Sequence, residues 1–273
     1  MNEIITVMKR EVRLGFRNPW SYTFLALFII FMLSLLLING QGYTSGYSGM
    51  TGMLINLTLY LLPLITLMLG SFSLTGEKED GSAQLLYTYQ ISSSTLLIGK
   101  FVGVLIVLLT IVTVAFAVTG IVSTLFTEGF AVATYLMLFI FASCIIIAYL
   151  SIAFLIGAIT KNRWQALTYV IAVWFFTIIG WVPILIAALA QLPYLWIKPF
   201  LTVATLLNPA EWIRIYTIVT LGGGSIIGPE YYNWVTWIKD DSGSFAFGLL
   251  LIFHVVLYIG CASWLWERGK RHG

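Results

Sequence analysis

Long apolar runs dominate the chain, including Val104–Val114 and Cys144–Ile159, and they are interrupted only by an occasional Ser, Thr or Gly. The strands of a membrane barrel would instead alternate apolar and polar positions. Because lipid offers the backbone no hydrogen bonds, membrane-spanning segments form either helices or closed barrels. These runs therefore predict spanning helices.

Intervals without charged residues mark the predicted spans, since a charge at the bilayer centre is costly. The first interval, Asn18–Gly76, is too long for one helix of roughly 20 residues, and its middle, Asn39–Gly52, has the Gly, Ser and Thr content of a loop. The first run is too long for a signal peptide and no small-x-small cleavage site follows it, so we expect it to be retained. Six spans are predicted: Trp20–Ile38, Met53–Ser73, Phe101–Phe126, Phe130–Ile159, Ala166–Ala190 and Phe245–Trp266.

Composition supports an all-α membrane protein. Of the 273 residues, 60% are hydrophobic and 9% are charged, whereas a soluble domain carries about 25% charged residues. We expect one transmembrane domain over 1–273: an interfacial helix (1–19), spans one to five (20–190), an outer loop (191–244), the sixth span (245–266) and a tail (267–273). The net charge of +3 does not suggest a nucleic-acid partner.

The basic residues predict the orientation. If the N-terminus is inside, 11 of the 14 Lys and Arg residues fall in cytoplasmic segments, and the first two outer loops have none. An even number of spans and the positive-inside rule then agree. We expect a multi-pass protein of the cell (inner) membrane with both termini in the cytoplasm.

The segment Asn2–Arg17 predicts an amphipathic helix ahead of the first span. Its apolar residues recur at helical spacing, with most charged residues on the other side: Ile4, Ile5, Met8, Val12 and Phe16 against Glu3, Lys9, Arg10, Arg13 and Arg17. Such a helix lies in the membrane interface with its basic face toward anionic lipid head groups. The alternative is that these are ordinary flanking charges.

The longest predicted inner loop, Thr75–Lys100, begins with three acidic residues, Glu77, Glu79 and Asp80. Gly81 then interrupts the helix, and Ser82 is a suitable cap for a short helix over Ala83–Tyr89. That helix would present four large side chains to water: Leu85, Leu86, Tyr87 and Tyr89. They are either a docking site for another protein or fold back against the ends of the chain's own helices.

The outer loop Gln191–Ser244 is long enough to contain structure. The sequence Asn208-Pro209-Ala210-Glu211 predicts a helix start, with Asn as the cap and Pro at the first position, and Gly222-Gly223-Gly224 predicts its end. We expect this helix to lie on or dip into the outer surface. The aromatic residues that follow favour either a membrane-interface belt or an external partner: Tyr231, Tyr232, Trp234 and Trp237.

Residues that carry chemistry are sparse. The two histidines, His254 and His272, have no ligand neighbours at metal-binding spacing, and no phosphate-binding loop of the Walker type is present. Met50 and Met53 are soft enough to bind Cu(I), although filling a gap is the simpler role. We expect no catalytic residue, no metal site and no cofactor. Two classes of protein remain: a transport subunit that is driven by a partner, or a structural membrane anchor.

The segment Gly76–Gly103 distinguishes between these two classes. It contains an acidic-x-acidic pair, a Gly-Ser step, a Leu-Leu pair and a Gly-Lys step at the third span, and it resembles the same region of ABC-2-type transporter permeases. The matching positions are Glu77, Glu79, Gly81, Ser82, Leu85, Leu86, Gly99 and Lys100. The family often has Pro-x-x-Arg after the Leu-Leu pair, where this chain has Gln90-Ile91-Ser92-Ser93.

Two further segments share the resemblance. Lys9–Trp20 is similar to the opening amphipathic helix of the family. Leu206–Ile215 resembles the outer motif of a narrower branch, which contains the permease serving maturation of nitrous oxide reductase, a copper enzyme.

The resemblance implies a permease that forms a homodimer and binds two copies of a separate cytoplasmic ABC ATPase. The segment Ala83–Tyr89 would be the coupling helix, with Tyr87 and Tyr89 beside the motif residues at the ATPase. The branch also implies an extracytoplasmic β-helical partner, seated on Asn208, Pro209, Glu211, Arg214, Tyr231 and Tyr232. The function implied is movement of a sulfur or copper species, or transmission of force. The alternatives are an exporter of a peptide, drug or lipid, and a non-transporting mechanical assembly.

Overall fold

The computed structural model describes residues 2–39, 45–82, 92–126 and 131–272. Every regular element in this part of the chain is helical. The predicted short helix Ala83–Tyr89 and the predicted start of the fourth span at Phe130 lie outside the described residues.

Eleven α-helices are described. They are α1 (Asn2–Arg17), α2 (Pro19–Asn39), α3 (Gly49–Glu79), α4 (Ser93–Phe126), α5 (Val132–Ile159), α6 (Arg163–Trp174), α7 (Trp181–Leu189), α8 (Tyr194–Leu207), α9 (Pro209–Thr220), α10 (Tyr232–Lys239) and α11 (Asp241–His272). A π-helical segment, Phe175–Gly180, joins α6 to α7 without a break.

Within the described ranges, six helical segments are long and apolar enough to cross a membrane: Pro19–Ile38, Gly49–Glu79, Ser93–Phe126, Val132–Ile159, Arg163–Leu189 and Ser242–Gly269. These confirm the six predicted spans. Several extend beyond the predicted bounds, because charged residues at their ends remain helical. At 31 residues, α3 is about 46 Å long at 1.5 Å per residue, so it projects past a hydrocarbon layer of about 30 Å.

The core of the bundle lies between α3 and α5. Helix α5 is the most buried span, with Tyr149 and Phe154 fully enclosed. Helices α4 and α11 pack on α5, α2 packs on α4, and α6 packs on α3. Close packing of α3 on α5 depends on Gly70, where a Cβ atom would lie 2.6 Å from the Cβ atom of Ala153.

One end of the bundle, here termed the α1 end, gathers the end of α3, the start of α4, the α5–α6 junction and the end of α11 around α1. Lys78 at the end of α3 contacts the carbonyl of Gly157, and Ser93 at the start of α4 donates a hydrogen bond to Glu267 of α11. The 11 basic residues that the positive-inside rule assigns to the cytoplasm lie in the segments at this end.

The predicted outer loop folds into α8, α9 and α10. Helix α9 begins at Pro209 and ends at Thr220, before Gly222 with its positive φ of 87°, as its cap and glycine signals predict. It was expected to lie on or dip into the outer surface, and it packs against α5, α8 and α10. Trp212, Ile213 and Ile215 are buried, because the protein itself covers its apolar face.

Candidate functional site

Helix α1 docks on the start of α4 through two glycines one helical turn apart. A Cβ atom at Gly99 would lie 2.9 Å from the Cβ atom of Val7, and one at Gly103 would lie 2.9 Å from the carbonyl oxygen of Met8. Small residues at this four-residue spacing allow two helix backbones to approach closely. The docking carries Glu11, which is buried, into the bundle.

Lys100 lies between these glycines and is fully buried. Its Nζ atom is 2.5 Å from Oε1 of Glu11 and 2.9 Å from Oε1 of Glu77. It also donates a hydrogen bond to the carbonyl oxygen of Ser73, at 3.1 Å. A buried ammonium is tolerated only when it is paired and hydrogen-bonded, and here α1 and α3 supply both kinds of partner to α4.

Glu77 receives a second cation from α1. The guanidinium of Arg10 lies 2.9 Å from the same Oε1 atom. The contacts of Arg10 and Lys100 with Glu77 are ion pairs by distance, and among the described residues neither has hydrogen-bond geometry. Glu77 therefore has two cationic neighbours, one from α1 and one from α4.

Glu79, two residues further on, points to a different helix. Its Oε1 atom accepts a hydrogen bond from the backbone N–H of Arg163 at 2.7 Å, and its Oε2 atom lies 3.3 Å from Nε of that side chain. A carboxylate at the N-terminus of α6 also interacts favourably with the helix dipole. The acidic pair of the motif thus joins the end of α3 to α1 and α4 on one side and to α6 on the other.

Lys78, between the two glutamates, reaches the end of α5. Its ammonium donates hydrogen bonds to the carbonyl oxygens of Gly157, Ala158 and Thr160, at 2.9, 2.8 and 2.7 Å. Cations at a helix C-terminus satisfy carbonyls that lack partners within the helix. Lys78 also lies over the ring of Trp266 in α11, so three consecutive residues of α3 contact five other helices.

The charge cluster is defined as Arg10, Glu11, Glu77, Glu79, Lys100 and Arg163. The rest of the predicted coupling motif follows it. Gly81 has a positive φ of 71°, which only glycine adopts without strain, and the Ser82 hydroxyl donates to the carbonyl of Glu77 at 3.4 Å. Leu85, Leu86, Tyr87 and Tyr89 lie outside the described residues.

Sequence reasoning singled out Glu77, Glu79 and Lys100 of this cluster, but it did not connect them with Arg10, Glu11 or Arg163. Glu11 belongs to α1, where its position among basic residues gave no sign of burial. Arg163 was counted only as a positive-inside charge. The Gly99-x-x-x-Gly103 spacing was available as a signal that a helix docks on α4.

The opposite end of the bundle carries a second polar group around Asn208. Its Oδ1 atom caps α9 by accepting from the backbone N–H of Ala210 at 3.1 Å, and its Nδ2 atom donates to the carbonyl of Thr177 at 2.7 Å. Thr177 lies in the π-helical segment, whose altered ladder leaves carbonyls open to outside donors. Asn208 thus fixes α9 to the fifth span.

The residues predicted to contact an outer partner differ in exposure. Asn208, Pro209 and Glu211 are buried, and Glu211 pairs with Arg214 at 2.6 Å. Arg214 and Tyr231 are half-buried, and Tyr232 is 67% exposed. In this structure the three buried residues pack within the chain, so a partner contact would depend on the exposed aromatic residues.

The described residues contain no group of three or more His, Cys, Asp or Glu side chains that could hold a metal ion. His254 is buried, and the centre of its ring lies 4.5 Å from that of Tyr258 in a tilted arrangement. Met50 is buried in the core, whereas Met53 is half-exposed.

Comparisons with known proteins agree with this architecture. The family model described as ABC-2 family transporter protein matches residues 5–268. A probable ABC transporter permease protein NosY from Stutzerimonas stutzeri is 26% identical over 242 residues, covering 84% of this chain and 86% of that protein. A protein of the same name from Pseudomonas aeruginosa is 33% identical over 108 residues, covering 38% and 39% of the two chains.

Proposed function

This chain belongs to the ABC-2 family of transporter proteins, and we propose that it is the membrane subunit of an ABC transporter driven by ATP hydrolysis on a separate chain. It is one transmembrane domain, and the α1 end faces the cytoplasm. The family match over residues 5–268 carries this proposal. The charge cluster supports it, because it connects the segment expected to dock on the ATPase with four helices of the bundle.

The proposed route of force begins at Ala83–Tyr89, which follows directly on α3. Glu77 and Glu79 hold the end of α3 against α1, α4 and α6. A push on the segment between α3 and α4 therefore moves these helices together. In a homodimer such a movement changes access to the path between the two subunits.

Exposed polar groups on α3 favour a homodimer. Asn56 and Tyr60 are exposed on this span, and the neighbouring segment Arg163–Leu189 is largely uncovered, with Phe175 and Ile184 about half-exposed. Lipid does not satisfy an amide group. A second copy of the chain packed on this face would offer these polar groups hydrogen-bond partners.

Co-purification tests the docking site. The Leu86→Asp variant places a charge in the proposed contact, and we expect it to lose binding of the ATPase encoded beside this chain. The control is Leu195→Asp on α8, where the leucine is 85% exposed at the opposite end of the bundle. Equal ATPase recovery from the two variants would contradict the docking site.

A second variant separates docking from coupling. Glu79→Gln removes the ion pair to Arg163 without altering the leucines, so we expect ATPase binding to persist while hydrolysis in the reconstituted complex loses its response to the permease. Asp240→Asn, an exposed change at the opposite end of the bundle, serves as the control. Hydrolysis equal to that of the control would show that the α3–α6 connection does not transmit the push.

The resemblance of Leu206–Ile215 to the branch that serves nitrous oxide reductase maturation favours a role in copper-enzyme maturation. In that role a sulfur or copper species is moved, or force is passed to an extracytoplasmic β-helical partner. Tyr232, 67% exposed, is the residue best placed for that partner. Tyr232→Ala is expected to weaken the contact. Tyr194→Ala, at an 83% exposed tyrosine, is the matched control.

An exporter of a peptide, drug or lipid with the same fold is the second candidate. The predicted spans hold no charged residue and do not identify a cargo, so the family match is compatible with this exporter as well as with the first candidate. Stimulation of ATP hydrolysis by copper, sulfur or peptide substrates in the reconstituted complex distinguishes the candidates. A response to peptides alone would reject the maturation role.

A further inference from the structure

A large cleft opens at the α1 end, between α1, α3, α4 and α6. It encloses about 890 Å³, a size typical of sites for small organic ligands. The charge cluster lies along one side of it, but the ion pairs of that cluster do not fill it.

The floor of the cleft is apolar. Leu69, Val104, Val107 and Leu108 form its deepest part and are buried within the bundle, while Met68 and Phe72 are half-buried above them. Leu14 and Trp20 stand at its mouth, 47% and 53% exposed. Apolar surface of this kind is better covered by hydrocarbon than by water.

The rim carries charges of both signs that remain accessible. The side chains of Arg10 and Arg163 are 44% and 50% exposed, and those of Glu79 and Asp80 are 31% and 72% exposed. A guanidinium has five N–H donors, so one ion pair leaves donors for another oxyanion. Asp80 lies 3.9 Å from Arg163 and keeps most of its carboxylate open to a cation.

The charged residues around the cleft indicate which kind of lipid head group it can bind. The cleft and its buried ion partners hold three cations, Arg10, Lys100 and Arg163, against four anions, Glu11, Glu77, Glu79 and Asp80. A net −1 environment disfavours an anionic lipid. A zwitterionic head group suits this environment if its cationic end can donate hydrogen bonds to the carboxylates. A quaternary ammonium cannot do so, because it has no N–H group.

We propose that this cleft binds an aminophospholipid of the phosphatidylethanolamine type. The phosphate lies between Arg10 and Arg163, the ammonium lies against Glu79 and Asp80, and an acyl chain covers the floor. The exposed tryptophans Trp20 and Trp164 line the same cleft, and tryptophan is enriched at the depth of the lipid head groups. The occupant is therefore a membrane lipid rather than a soluble phosphate compound.

Native mass spectrometry of the delipidated full-length chain tests this site. Phosphatidylethanolamine, phosphatidylcholine and phosphatidylglycerol with identical acyl chains are added in turn, together with glycerophosphoethanolamine, which has the head group without the chains. We expect one phosphatidylethanolamine per chain, bound about tenfold more tightly than the other two lipids, a difference of about 1.4 kcal/mol. Glycerophosphoethanolamine is expected to bind far more weakly.

Two rim variants locate the binding. Asp80→Asn and Arg163→Gln alter exposed side chains, so both are expected to fold and to reduce phosphatidylethanolamine binding to the level of phosphatidylcholine. Lys161→Gln, an exposed neighbour outside the cleft, should leave the preference intact. Met68→Trp narrows the apolar floor. It is therefore expected to weaken binding of phosphatidylethanolamine but not of glycerophosphoethanolamine, which has no acyl chain.

Three results would overturn the proposal. They are equal retention of the three lipids, a preference that survives both rim variants, and displacement of phosphatidylethanolamine when the ATPase binds. The last result would assign the cleft to the protein partner.

Discussion

At the scale of single residues, Lys100 decides how the α1 end is assembled. A lysine at the membrane boundary ordinarily extends its ammonium toward water. Here the ammonium is fully buried and meets carboxylates from two other helices, Glu11 and Glu77. The free energy of this arrangement depends on all partners being present, because a single buried charge without them is strongly destabilising.

Replacing Lys100 by Met is expected to lower the stability of the bundle by about 3–5 kcal/mol, since Glu11 would remain buried without its cation and Glu77 would keep only Arg10. The apparent melting temperature of the purified chain in detergent measures this effect. Lys161→Met, at an exposed position, is the control. If the two variants melt at the same temperature, the buried lysine does not hold the helices together.

Asn208 is a second residue whose two hydrogen bonds serve different elements. Asn208→Ala removes both the cap of α9 and the bond to Thr177. We expect a loss of about 1–3 kcal/mol, from the cap and from the buried carbonyl left without its donor. Asn233→Ala, at an exposed asparagine in α10, is the comparison, and equal melting temperatures would contradict the assigned role.

At the scale of elements, α1 is more than an amphipathic helix on a lipid surface. The sequence predicts its position and extent, and the structure places Asn2–Arg17 in that form. Its four basic residues remain exposed, while Val7 and Glu11 are buried against α4. The helix is therefore attached to the bundle by packing and charge.

Gly103→Ala tests this attachment. The added Cβ atom would lie 2.6 Å from the Cβ atom of Glu11 and 2.9 Å from the carbonyl oxygen of Met8, so α1 must shift away. We expect faster tryptic cleavage after Arg10 and Arg13 in lipid nanodiscs. The control is Gly260→Ala in α11, where nothing lies within 4 Å of the new Cβ atom. This variant should be cleaved at the same rate as the unmodified chain. If Gly103→Ala is also cleaved at that rate, the docking of α1 on α4 is contradicted.

At the scale of the whole molecule, the two ends of the bundle differ in the chemistry they offer. The α1 end concentrates basic residues, paired carboxylates and the large cleft. The opposite end has buried helices and exposed aromatic side chains such as Tyr194 and Tyr232. This polarity suits a subunit that receives a push at one end and delivers its effect at the other.

Cysteine labelling tests the orientation. In a Cys144→Ala, Cys261→Ala background, a membrane-impermeant maleimide applied to intact spheroplasts should label Lys239→Cys but not Lys161→Cys, because the positive-inside rule places Lys161 in the cytoplasm. Permeabilised cells provide the control, in which both positions should react. Labelling of Lys161→Cys from outside would invert the topology and remove the basis for an ATPase contact at the α1 end.

The sequence by itself determined the six spans, the amphipathic helix α1, the start and end of α9 and the resemblance to the family. These features follow from local rules: the cost of charge in a bilayer, helical periodicity, an Asn cap and a glycine stop. Each can be evaluated over a short stretch of chain, and the family model over residues 5–268 confirms the resemblance.

Only the tertiary structure decided which charges pair and which outer residues are buried. Glu11 and Lys100 are 89 positions apart, and Arg163 and Glu79 are 84 apart, so no local pattern joins them. The burial of α9 likewise depends on α5 and α8 covering its apolar face. A sequence shows that an unpaired buried charge or an uncovered apolar face would be unfavourable. Which residues pair with that charge or cover that face depends on how helices that are distant in sequence pack together.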